Sequence, residues 1–178
     1  TVRIWNATTG EHLHTLEGHT DWVNAVCALP MPDHTLLASA GDRTVRIWNA
    51  TTGEHLHTLE GHTDWVNAVC ALPMPDHTLL ASAGDHTVRI WNATTGEHLH
   101  TLEGHTDGVN GLCAVNVAGR TLLASASYDR TVRIWDAATA RTVVEIPVRS
   151  PTRTITQAGD LLIVGLSNGL MALTLQQS

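Results

Sequence analysis

The sequence predicts an all-β fold in which one four-stranded antiparallel unit is used several times over. Three observations carry this expectation. Residues 1–42 equal 44–85 residue for residue, and 87–107 equal 44–64, a period of 43 residues. Self-similarity at such a spacing marks a propeller or a solenoid, whose units bury their faces only against copies of themselves. The hydrophobic residues, 43% of the chain, lie in short dispersed runs, and clusters of Gly, Pro and Asn interrupt those runs at regular intervals.

Within one unit the elements follow in order. "WVNAVCAL" (22–29) is an apolar strand stopped by "PMPDH", whose Pro30 and Pro32 cannot continue a hydrogen-bonded ladder. "TLLASA" (35–40) is the second strand, closed by "GDR". "TVRIW" (44–48) alternates β-branched residues with Arg46 and ends at the turn-rich "NATTGE"; "HLHTL" (55–59) is a more polar fourth strand. In the tail, "TRTIT", "LLIVGL" and "LMALTL" read as three more strands, and Asn168-Gly169 is a hairpin signal. The chain therefore divides into the third and fourth strands of one unit (1–17), three repeat units (18–60, 61–103 and 104–147) and a degenerate closing unit (148–178). Seventeen strands are expected.

Gly-His precedes the first strand of each unit, as Gly18-His19, Gly61-His62 and Gly104-His105, and Trp-Asn or Trp-Asp ends the third, as Trp48-Asn49, Trp91-Asn92 and Trp135-Asp136. Carried in register by residues 18–136, these marks resemble the WD-repeat family of β-propellers. The resemblance implies a buried hydrogen-bonded tetrad in each blade. Its members would be Trp48, Ser39, His19 and Asp42; then Trp91, Ser82, His62 and Asp85; then Trp135, Ser125, His105 and Asp129. It also implies that an N-terminal strand closes the ring, so that "HLHTL" (12–16) supplies the missing fourth strand of the last blade. That leaves about four blades with one surplus strand. Because rings of this family usually hold more blades and the chain opens in mid-unit, it reads as a piece of a longer array or as part of a ring shared between two chains.

Charge and composition exclude several functions. A net charge of −7, with 10 basic residues spread thinly along the chain, offers no cluster to neutralise phosphates. No run of residues is apolar enough to cross a membrane, and the sequence holds no basic-apolar-small leader, though one could have been removed with whatever lay upstream of "TVRIW". Cys27, Cys70 and Cys113 are one residue copied by the repeat, suited to a reducing cytoplasm rather than to disulfides or zinc. The paired histidines of "HLH" (12–14, 55–57, 98–100) lack further ligands for a metal, and the Asn-Ala-Thr sites at Asn6, Asn49 and Asn92 read as turns. A His/Ser/Asp set copied into every unit reads as a satisfied buried network, not a catalytic triad. No cofactor is expected.

One position is edited within otherwise copied sequence: "GHTDWVNAV" at 18–26 and 61–69 becomes "GHTDGVNGL" at 104–112, so that Gly108 replaces Trp22 and Trp65. On a propeller of this family these residues would sit at the channel mouth. Packing between blades is one account of the tryptophans; an aromatic anchor for a partner is the other. The expected partner surface comprises Trp22, Asn24, Arg43, Trp65, Asn67, His86, Asn110 and Arg130. The expected function is a non-catalytic protein-interaction scaffold, with the sensor part of a larger signalling protein as one setting for it, associating with itself through open blade edges. The alternative is a designed or self-assembling repeat protein without a native partner, with a propeller enzyme further behind.

Overall fold

The structure, a computed structural model, describes residues 1–175. These form seventeen strands and no helix. Strands β1 (Val2–Trp5) and β2 (His12–Leu16) make a hairpin. Three four-stranded antiparallel sheets follow: β3 (Val23–Pro30) to β6 (His55–Leu59), β7 (Val66–Pro73) to β10 (His98–Leu102), and β11 (Val109–Val117) to β14 (Arg141–Pro147). A three-stranded sheet, β15 (Thr152–Ala158) to β17 (Gly169–Thr174), ends the array. Within each sheet the strands pair in chain order, so each is one blade.

Alternation along a strand sends successive side chains to opposite faces, and the second and third full blades therefore each share in two cores. Leu36, Ala38, Ala40, Val45 and Ile47 of the first full blade pack against Val66, Val69, Leu80 and Trp91 of the second. Ala81, Ala83, Val88 and Ile90 of the second pack against Val109, Leu123 and Trp135 of the third. The third repeats the arrangement against Ile155, Leu162 and Val164. Neighbouring blades meet chiefly through their first strands, β3 with β7, β7 with β11 and β11 with β15.

The sheets do not close into a ring, and the expected role of residues 12–16 is corrected. β2 pairs with β1, Val2 opposite Leu16, and the only hydrogen-bonded neighbour of β17 among the described residues is β16. A local turn decides this: the Asn6 side chain accepts the amides of Thr8 and Thr9, and Gly10, at φ 73°, donates to the Asn6 carbonyl. A hairpin so closely joined forms before any pairing across the whole chain. The expected closing unit, 148–178, ends in residues that lie outside those described.

A hydrogen-bonded chain runs through each full blade. In the first, Trp48 Nε1–H donates to Ser39 Oγ (2.9 Å), which lies 2.8 Å from His19 Nε2, and His19 Nδ1 lies 3.3 Å from Asp42. In the third, Trp135 reaches Ser125 (2.8 Å), Ser125 reaches His105 (2.7 Å) and His105 reaches Asp129 (2.7 Å). In the second, Trp91–Ser82 and Ser82–His62 are both 2.8 Å, but His62 Nδ1 stands 3.6 Å from Asp85. Because the indole only donates, the serine accepts from it and gives its own hydrogen to Nε2; the neutral imidazole then carries its proton on Nδ1, facing the aspartate.

Burial alone would raise the Asp85 carboxyl, yet hydrogen bonds from the backbone and hydroxyls of Thr63 and Thr87 hold it well below the usual carboxylate range. Burial pushes the His62 imidazole down to about 4. An unfolded chain protonates this histidine near 6.5, so between these values the unfolded state binds more protons and stability falls as pH drops. The melting midpoint should decline from pH 7 to pH 5, with about 1–2 kcal/mol lost from His62, and His62→Gln should make the decline shallower. A midpoint flat across that window would contradict a buried neutral imidazole.

Candidate interaction face

The loops before the first strands and the turns between second and third strands meet at one end of the array. Asp42 joins them: Oδ2 accepts the amide and hydroxyl of Thr20 in the loop, and Oδ1 accepts those of Thr44 in the turn. One residue further along, Asp21 and Asp64 accept the amides of Trp22 and Trp65 at 2.8 Å. The tryptophan backbones are thus pinned while their side chains stand free. Trp22 is 73% exposed and Trp65 43%, their rings 6.2 Å apart and tilted by 46°. Both lie outside the three buried clusters.

The other residues of the expected partner surface divide into two groups. Arg43, His86 and Arg130 sit exposed in the turns, Arg130 at φ 66°. Asn24, Asn67 and Asn110 spend their amide donors on the next blade, reaching the carbonyls of Val66 (3.1 Å), Val109 (3.4 Å) and Thr152 (3.4 Å). The tetrad serines, Ser39, Ser82 and Ser125, are completely buried beneath this face. The histidines of "HLH" are also engaged: His14 and His57 bond the carbonyls of Thr51 and Thr94 in the next turn. Among the described residues no group of three or more His, Cys, Asp or Glu is placed to hold a metal ion.

The third unit differs at one spot by three changes. A Cβ on Gly41 or Gly84 would collide with the carbonyl oxygen of Trp22 or Trp65. At the equivalent place, opposite Val109, stands Ser127, and the turn gains an extra residue, Tyr128. Ser127 Oγ donates to the Asp107 carbonyl (2.9 Å), and the Tyr128 amide donates to the Gly108 carbonyl (2.9 Å). Tyr128, 39% exposed, borders a hollow of about 260 Å³ together with Trp65, Asp64, Asn67, Gly108 and Asn110. Sequence reasoning noticed Gly108 but not Tyr128. The signal was the spacing from histidine to aspartate, which lengthens by one residue in this unit alone.

A second feature missed in the sequence is a row of arginines beneath the Gly-His corners. Gly18, Gly61 and Gly104, at φ 137–148°, leave room for the guanidinium groups of Arg46, Arg89 and Arg133, which a Cβ would meet at 2.5–2.7 Å. Arg133 pairs with Glu145 across the ladder at 2.6 Å. Thr58 and Thr101 occupy that cross-strand place in the other blades, opposite Arg46 and Arg89, which have no ion pair among the described residues. Thr58→Glu should therefore pair with Arg46 and raise stability by about 0.2–1 kcal/mol. The gain, read from chemical denaturation, should shrink in high salt; no gain at low salt would show that the site in the first blade differs from that in the third.

A sequence model of the family described as WD domain, G-beta repeat (WD40) matches residues 10–49, 53–92 and 96–136. The chain is similar to the nuclear distribution protein PAC1 of Coccidioides posadasii (strain C735), 50% identical over 42 residues, which are 24% of this chain and 8% of that protein. It is similar to PAC1-2 of Uncinocarpus reesii (strain UAMH 1704), 52% identical over 42 residues, 24% of this chain and 9% of the relative. It is also similar to the probable serine/threonine-protein kinase PkwA of Thermomonospora curvata, 58% identical over 24 residues, 14% of this chain and 3% of that one. The matched part spans less than a tenth of each relative. Matched over more than half its length and built from successive antiparallel blades, the chain belongs to the WD40-repeat family.

Proposed function

We propose that this chain is a non-catalytic scaffold and that the face bearing Trp22 and Trp65 docks other proteins. WD40 repeats generally mediate protein–protein interaction, and the family is generally non-catalytic. The observation that carries the specific reading is the pair of neighbouring indoles, held by pinned backbones yet exposed at 73% and 43%. Rigid exposed tryptophans bury much apolar area at small entropic cost, which is why they dominate binding energy at interfaces. Arg43, His86 and Arg130 would flank them as a polar rim, with Asn24, Asn67 and Asn110 holding the blades behind. Three free cysteines, two with thiols pushed up by burial to about 12, suit a reducing compartment such as the cytoplasm. The likeness to a probable kinase supports a place for such an array in a signalling protein.

Peptides selected from a displayed random library against the chain provide the test. Trp22→Ala or Trp65→Ala should weaken the selected peptides by about 2 kcal/mol or more while moving the melting midpoint little, whereas Trp91→Ala in the core should cost about 3–5 kcal/mol of stability. Selected peptides indifferent to both exposed tryptophans would overturn the reading.

Self-association is a second proposal, favoured by what identical residues do at different places. Val69 is 9% exposed but its copy Val26 53%; Trp48 is 2% exposed but its copy Trp5 51%; Leu170 on the edge strand β17 is 78% exposed. Apolar faces and open ladders of this kind attract further strands. Light scattering of the 178-residue chain should report a dimer or larger species, and a monodisperse monomer at low micromolar concentration would rule this out.

A further inference from the structure

The hollow between Trp65 and Tyr128 arises where the third copy departs from the other two. Between the first and second full blades the position of Gly108 is held by Trp65, whose ring lies 6.2 Å from that of Trp22. Between the second and third, Gly108 removes the next indole, and a Cβ placed there would have only ordinary contacts, 3.5 Å to the Asp85 carbonyl and 3.7 Å to the Tyr128 ring. What remains is a hollow lined by the Trp65 and Tyr128 side chains together with Asp64.

Its polar groups are unusually one-sided. No arginine or histidine lines it, and its charged groups are the aspartates Asp64 and Asp85. Asp85 is fully occupied by Thr63 and Thr87. Asp64 accepts the Trp65 amide through Oδ1 and has no partner for its other oxygen among the described residues. Asn67 donates to the Val109 carbonyl and to Asn110 Oδ1, and Asn110 donates to the carbonyls of Gly108 and Thr152. The slot therefore offers a ligand acceptors and aromatic faces, and it asks for a donor with positive charge.

We propose that the slot formed by Trp65, Tyr128, Asp64 and the gap at Gly108 receives the cationic side chain of a lysine or arginine from a partner protein. The inference rests on the docking role proposed for this face and names the chemistry read at one point of it. Aromatic faces attract a cation through their quadrupoles, and a carboxylate at the rim adds charge-assisted hydrogen bonding. A neutral apolar group would desolvate Asp64 without replacing its water, and an acidic one would be repelled. His86 lies in the adjoining hollow with Asp64, Asp107 and Gly108.

Nuclear magnetic resonance titration of the chain with Nα-acetyl-lysine methylamide tests this, against the arginine, norleucine and glutamate analogues. The Trp65 indole signal, assigned through Trp65→Phe, should respond to the lysine or arginine compound with an affinity about five-fold or more above that of norleucine, and added salt should weaken it. Asp64→Asn should erase the advantage over norleucine. Gly108→Trp, which restores the residue that the other two copies carry at this position, should abolish the response while keeping the fold. Equal binding of lysine and norleucine, a stronger response to glutamate, a response surviving Gly108→Trp, or none at the solubility limit would each overturn the proposal. If selected peptides still depend on Trp22 and Trp65 under any of those outcomes, only the cation inference falls; if they do not, the docking reading falls with it.

Discussion

A serine hydroxyl shared between an indole and an imidazole governs this architecture. Ser39, Ser82 and Ser125 each accept from a buried tryptophan and give their proton to a histidine from the loop preceding the first strand. That one atom ties the third strand, the second strand and the incoming loop of a blade together. The aspartate at the far end then draws in the threonine amides on both sides of it. Such a network is satisfied throughout or very costly, since a lone unpaired member in a water-free site carries its full desolvation penalty. The exposed tryptophans depend on it at one remove, because their backbones hang from the same loops.

The second constraint is that a blade has two apolar faces. Copied residues become core or surface according to what lies beside them, as Val26 and Val69 demonstrate with 53% and 9% exposure. Sequence identity between units fixes the blade but not its environment. Stability in such an array is therefore a property of junctions as much as of units.

Much of this was legible in the residues. "HLHTL" coincides with β6, and "TVRIW" with β5 but for Asn49, because β-branched alternation and turn clusters act locally. "WVNAVCAL" was shifted by one: Trp22 lies in the loop and Pro30 ends β3, a proline being able to terminate a ladder that it cannot extend. What stayed hidden depends on three dimensions. That residues 12–16 would pair within their own hairpin turned on the Asn6 turn outcompeting closure of a ring. The contrast of Arg133 with Arg46 rests on cross-strand register. Tyr128 reads as a stray insertion until the fold sets it beside Trp65. Asn24, Asn67 and Asn110 sit near the tryptophans, as the sequence suggested, yet their donors are bound to the neighbouring blade.

The near-perfect copying of the units carries a problem of address. To any ligand that reads one blade alone, two blades of the same sequence are degenerate sites, and the degeneracy adds only a statistical factor of two, about 0.4 kcal/mol, while leaving the ligand free to sit in either register. The extra residue in the third turn breaks this translational symmetry. Tyr128 with Gly108 marks a single junction in the array, so a ligand touching that junction and its neighbour is held in one phase and one direction along the blades, as a vernier scale is fixed by its one coinciding line.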